Sequence, residues 1–252
     1  MLLLLKVVLV PALVALASVL ARRYGPALGG WLVGFPIVAG PILGFLTVEH
    51  GAAFGARAAF ASALALTATV LFAIAYAWLA RRMGWAVCLL LAYLVWFAVA
   101  ALLRLLPSAP WLAATLPLAA VLLGPLALPR PAQVAPRHSA PRWDLPARML
   151  ATATLVLAIT GLAERLGPQL SGLLTPLPCA TTVLTLFTHV QDGPSALPDL
   201  FRGLFRGLIS FIAFCTTVGL GVEALGVLAA FSSAVAVGLV GHGVVHLATA
   251  RR

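Results

Sequence analysis

Two stretches decide the reading: residues 21–51, ARRYGPALGGWLVGFPIVAGPILGFLTVEHG, and residues 163–193, AERLGPQLSGLLTPLPCATTVLTLFTHVQDG. At an offset of 142 they align without a gap, and eleven of thirty-one positions are identical. The matches include Gly25/Gly167, Pro26/Pro168, Gly30/Gly172, Pro36/Pro178 and Gly51/Gly193. Shared leucine means little in apolar sequence. Shared glycine and proline mark turns and helix breaks, whose places are set by backbone geometry. The match therefore implies an internal duplication. Beyond Gly51 the register shifts by three, which sets Arg57 opposite Arg202 and Phe60 opposite Phe205.

The sequence around these stretches is that of a membrane protein. Of 252 residues, 63% are hydrophobic and 9% charged, against about 25% charged in a soluble domain. So few charges cannot cover a water-facing surface, so lipid is the solvent. The net charge of +10 does not point to nucleic acid. The basic residues fall singly or in pairs between long apolar runs, as positive-inside bias requires. Cys88, Cys179 and Cys215 lie in apolar segments without metal-ligand spacing and read as core residues. The apolar start of the chain lacks a basic n-region and is followed by Arg22–Arg23, which favours a retained helix over a cleaved signal.

A helix rises about 1.5 Å per residue, so roughly 20 apolar residues cross the hydrocarbon core. This predicts an all-α fold of about nine spans: 2–21, 28–49, 58–80, 84–106, 110–128, 147–165, 170–190, 203–222 and 225–249. Residues 129–144, rich in proline and arginine, read as a linker. The organisation is a first membrane repeat over 1–106, a connector helix with a cytoplasmic linker over 107–146, and a second repeat over 147–252. With nine spans, twelve basic residues fall on one side. Only Lys6, Arg57, Arg104 and Arg165 fall on the other. The chain then sits in a bacterial inner membrane with its N-terminus outside and its C-terminus in the cytoplasm. Five crossings separate span 1 from span 6, so the two repeats enter the bilayer from opposite sides. Inverted repeats of this kind are common in secondary transporters.

Spans 2 and 7 carry the chemistry expected of a midplane site. Proline and glycine inside an apolar run free backbone carbonyls that need partners in protein or cavity water. Paired breaks in two halves point to a binding site. The candidate solute-binding residues are Gly34, Pro36, Gly40 and Pro41 on span 2, with Thr175, Pro178, Thr181 and Thr182 on span 7. Such a site suits a neutral or amphipathic solute, or an anion held by half-helix N-termini. Coupling or gating candidates are Glu49, His50, His189 and Asp192 at span ends, with Arg57 and Arg202 near the starts of spans 3 and 8. His242 and His246, at i,i+4 spacing on span 9, form a candidate transition-metal pair. No hydrolase, nucleotide-binding or paired-carboxylate pattern is present, so an enzyme is not expected and no cofactor is implied.

Each half has an apolar first helix, a GPxLxGxLxxxP second helix and two further spans. In this it resembles the small four-helix bacterial membrane proteins of the GlpM type, a resemblance that implies the fold but no substrate. The duplicated four-helix unit with a connector is similar in organisation to drug/metabolite-type transporters. Those usually carry an intramembrane glutamate in helix 1, where this chain has Lys6 as its one charge before Arg22.

The expected function is a secondary transporter or exporter of a small solute, with its pathway between spans 2 and 7. The other class is a non-transporting scaffold or accessory subunit for an envelope process. A solvent-reachable, partly polar cavity between spans 2 and 7 favours the first, and a closed apolar interface the second. The partners expected are membrane lipid and a small-molecule solute, not nucleic acid. A homodimer is compatible with the sequence, which does not set the oligomeric state. Bound metal measured on the purified His242→Ala/His246→Ala protein tests the histidine pair, and unchanged content rejects it.

Overall fold

The computed structural model describes residues 2–37, 39–106, 109–130, 143–158 and 178–250, with the side chains of 2–7, 242 and 244–250 left out. Among these residues the chain is all helical. The elements are α1 (Leu2–Tyr24), α2 (Pro26–Val33), α3 (Ala39–His50), α4 (Ala52–Leu79), α5 (Trp85–Leu103) and α6 (Pro110–Ala127). They continue with α7 (144–158), α8 (Cys179–Gln191), a 3-10 turn (Pro194–Ala196) and α9 (Leu197–Ala250). Four helical stretches among the described residues are long and apolar enough to span a membrane: Ala52–Leu79, Trp85–Leu103, Pro110–Ala127 and Pro194–Gly241. Leu105, Leu126 and Leu228 lie more than 80% exposed. These features suggest membrane association.

Glycine and proline set the element boundaries. Gly25, Gly51 and Gly193 take φ of 111°, 91° and 81° and stand immediately before α2, α4 and the 3-10 turn leading into α9. Side chains avoid that region, so glycine is what lets each helix start there. These starts lie earlier than the apolar pattern predicts. α4 begins at 52 rather than 58 and α9 at 197 rather than 203, because the glycine rather than hydropathy fixes the first turn. Span 2 is two helices, parted around Pro36. α9 reverses at Gly226, where φ is 76° and ψ 169°. Gly238 then lies beside Ser210 and Phe231 beside Phe214. Residues 197–225 and 227–250 are thus two antiparallel arms.

The packing rests on small residues. Gly30 of α2 and Gly34 at its C-cap lie against Leu200, Leu204 and Gly207 of α9, and Gly203 lies against Ala27. A Cβ on Gly34 would stand 2.7 Å from both Gly207 Cα and Leu204 O. Both helices carry a GxxxG pattern here, which lets backbones touch where lipid gives helices little other reason to associate. On its next face α2 meets α1, where Gly29 lies over Ala17 and Ala21. Gly219 on α9 lies under the Phe60 ring of α4, and Gly124 on α6 meets Phe205 and Val70. Around these contacts a core forms from Phe72, Tyr76, Trp96, Leu200, Phe201, Leu204 and Phe205.

Contacts between helices place the chain's ends. His189 on α8 meets Tyr76 on α4, Trp78 bonds Ala127 O at the end of α6, and Arg202 bonds Pro129 O. Arg22 at the end of α1 reaches Asp144 at the start of α7. Arg22, Arg148 and Arg202 and the Arg81–Arg82 turn therefore collect at one end of the bundle. Arg57 lies about 36 Å from Arg81 along α4, at about 1.5 Å per residue. α3 runs away from the basic end and α8 runs toward it. α4 runs toward it and the first arm of α9 away. α2 lies parallel to that arm, since Ala27 meets Gly203 and Gly34 meets Gly207.

Gly203→Ala drives a methyl into the Ala27 backbone. It should cost about 1–3 kcal/mol, the range for overpacking, read as a lower thermal midpoint in detergent. Gly84→Ala is the control, because φ there is −69° and nothing lies within 4 Å; an equal loss at both positions contradicts the packing argument.

Candidate functional site

α8, with sequence CATTVLTLFTHVQ, carries four of the twelve buried polar side chains among the described residues, more than any other helix. Pro178 is its N-cap, and the first backbone donors of α8 have no helical partner of their own. Thr181, Thr182, Thr185 and Thr188 are all buried. Several hydroxyl residues on other helices bond their own backbone, as Thr47 does to Leu43 O and Thr152 to Arg148 O. Three polar side chains of α8 reach across to other helices, Gln191 at its basic end and two further up. Thr182 Oγ1 lies 2.6 Å from Tyr93 Oη on α5, and His189 Nδ1 lies 3.0 Å from Tyr76 Oη on α4. Trp96 Nε1 donates to Thr69 Oγ1 at 3.4 Å, adding a contact between α4 and α5.

Positions 182, 185 and 189 follow i, i+3, i+7 and so share one face of α8. That face looks onto α4 and α5. Thr185 lies between the two interhelical bonds. It is fully buried, and its hydroxyl has no partner among the described residues. An unmet buried hydroxyl costs about 1–3 kcal/mol, and the cost is recovered only if something polar reaches it.

The seam runs on to the basic end as a charge cluster. Asp144 is completely buried at the start of α7. Arg148 Nε donates to Asp144 Oδ2 at 2.9 Å and to Oδ1 at 3.1 Å. Arg22 and the Gln191 amide also donate to the same carboxylate. Arg148 Nη2 donates to Gln191 Oε1 at 3.1 Å, and its guanidinium lies 4.8 Å from the Phe187 ring centre. Three chain segments, the ends of α1 and α8 and the start of α7, are thereby tied through one carboxylate. Sequence reading placed Asp144 at the end of a linker and counted Arg148 as a loop charge. An available signal was their i,i+4 spacing, with the acid at a helix N-terminus.

The other predicted residues are dispersed. Thr181 faces α2, where it lines a gap with Gly30, Val33, Leu184, Leu200 and Leu204 that has no room for water. The interface between α2 and α8 is closed, and the polar face of α8 points to α4 and α5 instead. Gly34 and Gly40 face α9, against Gly207 and Phe214. Pro36 is buried at the break, while Pro41 is exposed. Glu49 and His50 are exposed at the end of α3, with His50 stacked on Phe54 at 4.8 Å. Asp192 and Arg57 are exposed. Arg202 pairs with Asp199 at 3.1 Å. Thr175 and the side chains of His242 and His246 lie outside the described residues. No group of three or more His, Cys, Asp or Glu suited to a metal occurs among the described residues.

No protein-family model, curated protein or solved structure matches the chain. The site offers hydroxyls at mid-depth, an imidazole–phenol pair below them and a bridged carboxylate at the basic end. This set suits hydrogen bonding to a small solute and the holding or release of a proton at His189.

Asp144→Asn removes the charge that two arginines share. Breaking a buried pair costs about 3–5 kcal/mol, against about 0–1 kcal/mol for a surface pair. Asp144→Asn should therefore lower the unfolding midpoint in detergent far more than Asp199→Asn, whose carboxylate is 35% exposed. Equal shifts would mean that the cluster does not hold the three segments together.

Proposed function

We propose that the chain is an inner-membrane transporter of a small solute, with its basic end in the cytoplasm. The observation that carries this reading is the polar seam along α8. An apolar bundle gains nothing from burying Thr185 with no partner among the described residues, between Tyr93–Thr182 and Tyr76–His189. Buried polar groups at membrane depth mark solute or ion pathways. The solute site assigned here is the α8 face toward α4 and α5, around Thr182 and Thr185. The Asp144 cluster closes its cytoplasmic end.

The architecture supports the same reading. α3 and α8 correspond in the repeat, and they run in opposite directions relative to the basic end. Gly51 and Gly193 correspond, and both take positive φ immediately before the next helix. These features fit two inverted repeats of four spans around connector α6, nine spans in all, with the N-terminus outside. Alternating access in such folds is largely the rocking of one unit against the other. The described state is then a closed one.

The closed gap between α2 and α8 favours a second reading, a non-transporting scaffold or accessory subunit. Accessibility separates the two. In a protein with Cys88, Cys179 and Cys215 replaced, Thr185→Cys should react with a small, membrane-impermeant methanethiosulfonate from one side of the membrane. A transporter opens the seam, so labelling proceeds although Thr185 is fully buried in the closed state. Labelling of a Glu49→Cys control with none at Thr185→Cys supports the scaffold. Liposomes holding the purified protein, screened by solute class, identify the substrate. Thr182→Val should then weaken its binding by up to about tenfold, the worth of one net hydrogen bond.

A further inference from the structure

A recess of about 420 Å³ opens at the turn between α4 and α5, lined by Trp78, Leu79, Arg81, Arg82 and Met83. It lies outside the α8 seam, and the transport reading makes no use of it. We propose that it is a binding site for an anionic phospholipid headgroup, the phosphate resting on Arg81 and Arg82.

Three observations carry the assignment. First, the two guanidiniums are exposed, and no carboxylate pairs with either among the described residues. Arg22, Arg148 and Arg202 at the same end are all paired with aspartate. The charge at the turn is therefore left for a partner from outside. Second, the site is held in shape. Trp78 Nε1 donates to Ala127 O at 2.8 Å, which fixes the indole against the end of α6. The Arg81 guanidinium then sits 5.2 Å from the indole ring centre, leaving its N–H edge for an anion. Arginine's planar fork suits a phosphate's paired oxygens. Third, the remaining lining is apolar and partly exposed. Trp78 is 49% and Met83 41% exposed, with Leu79 beside them. An indole with apolar neighbours at a span end is the composition of the membrane interface. Basic pockets at the cytoplasmic ends of helices take anionic headgroups. A free phosphate would use the arginines and leave Leu79 and Met83 without a role, which favours the lipid.

Native mass spectrometry of the purified full chain in detergent tests the site. Phosphatidylglycerol and phosphatidylcholine of the same acyl chains are added in parallel, with inorganic phosphate as a third arm. The wild type should retain phosphatidylglycerol over phosphatidylcholine. Arg81→Gln/Arg82→Gln should weaken phosphatidylglycerol binding roughly thirtyfold, as two arginines near a charged surface contribute. Should the double variant not elute as a single species, each single variant carries the same comparison at roughly fivefold. Equal retention of the two lipids, or unchanged binding by the variants, overturns the proposal. Displacement of the lipid by low-millimolar inorganic phosphate also overturns it, since the site would then be one for free phosphate.

Discussion

The contact on which the fold depends is the one where α2 and α9 meet without side chains between them. Lipid tails are as apolar as leucine, so burying leucine between helices in a bilayer gains little. What remains is close van der Waals approach, and Gly30, Gly34, Gly203 and Gly207 supply it. The contact joins an element of the first repeat to one of the second. It also explains why α2 is only eight residues long. Gly34 ends the helix, Pro36 turns the chain, and α3 leaves along a new line to lay Gly40 on Phe214 and Gly44 on Phe231. A continuous helix would follow one line along α9, whereas the break lets α3 pack against both arms.

That clamp leaves the remaining face of α8 to be covered by α4 and α5. α8 touches α2 through Thr181 and Leu184 in a gap closed to water, so its polar residues have to find partners on the opposite side. Tyr93 and Tyr76 provide them. At the basic end the problem is charge rather than hydroxyls. A buried carboxylate is tolerable only when paired and hydrogen-bonded. Asp144 takes donors from Arg22, Arg148 and Gln191, which lie on three different elements. Packing by glycine and anchoring by one carboxylate are thus separate devices at different depths.

Much of this was legible in residues 21–51 and 163–193. The glycines there mark real helix starts, since Gly51 and Gly193 both take positive φ. Pro36 and Pro178 both stand at helix boundaries, where the missing N–H leaves no helical hydrogen bond unmade. The arginine partition is reflected in the basic end. The facing of α8 was not legible. Its threonines occur at 181, 182, 185 and 188, a pattern that covers two faces, and which face meets α2 depends on the α2–α9 clamp. Nor was the Asp144 cluster legible, because Arg22 lies 122 residues away and composition made that segment look like linker. In the sequence Gly34 reads as a solute-binding residue. Its neighbour Gly207 makes it half of a GxxxG contact, a pattern that recurs on α9.

The repeat's departures from identity now acquire a physical sense. Thr47, Glu49 and His50 correspond to His189, Gln191 and Asp192. In the first half Thr47 bonds its own helix, and Glu49 and His50 face outward. In the second half His189 and Gln191 are tied to Tyr76 and to the Asp144 cluster. The two corresponding stretches therefore end unequally: α8 is fastened by charge at the basic end, while α3 ends in exposed polar side chains. Under the transport reading this asymmetry orders the cycle. Opening the basic end requires Asp144 to part from two arginines, a step with a large electrostatic cost in a low-dielectric surround. A solute that reaches Thr185 and bonds its unmet hydroxyl would lower the energy of the occupied seam, and that gain is available only when the solute is present. The fastening then resists opening of the empty protein, and a solute overcomes it only by binding the open seam more tightly than the closed one.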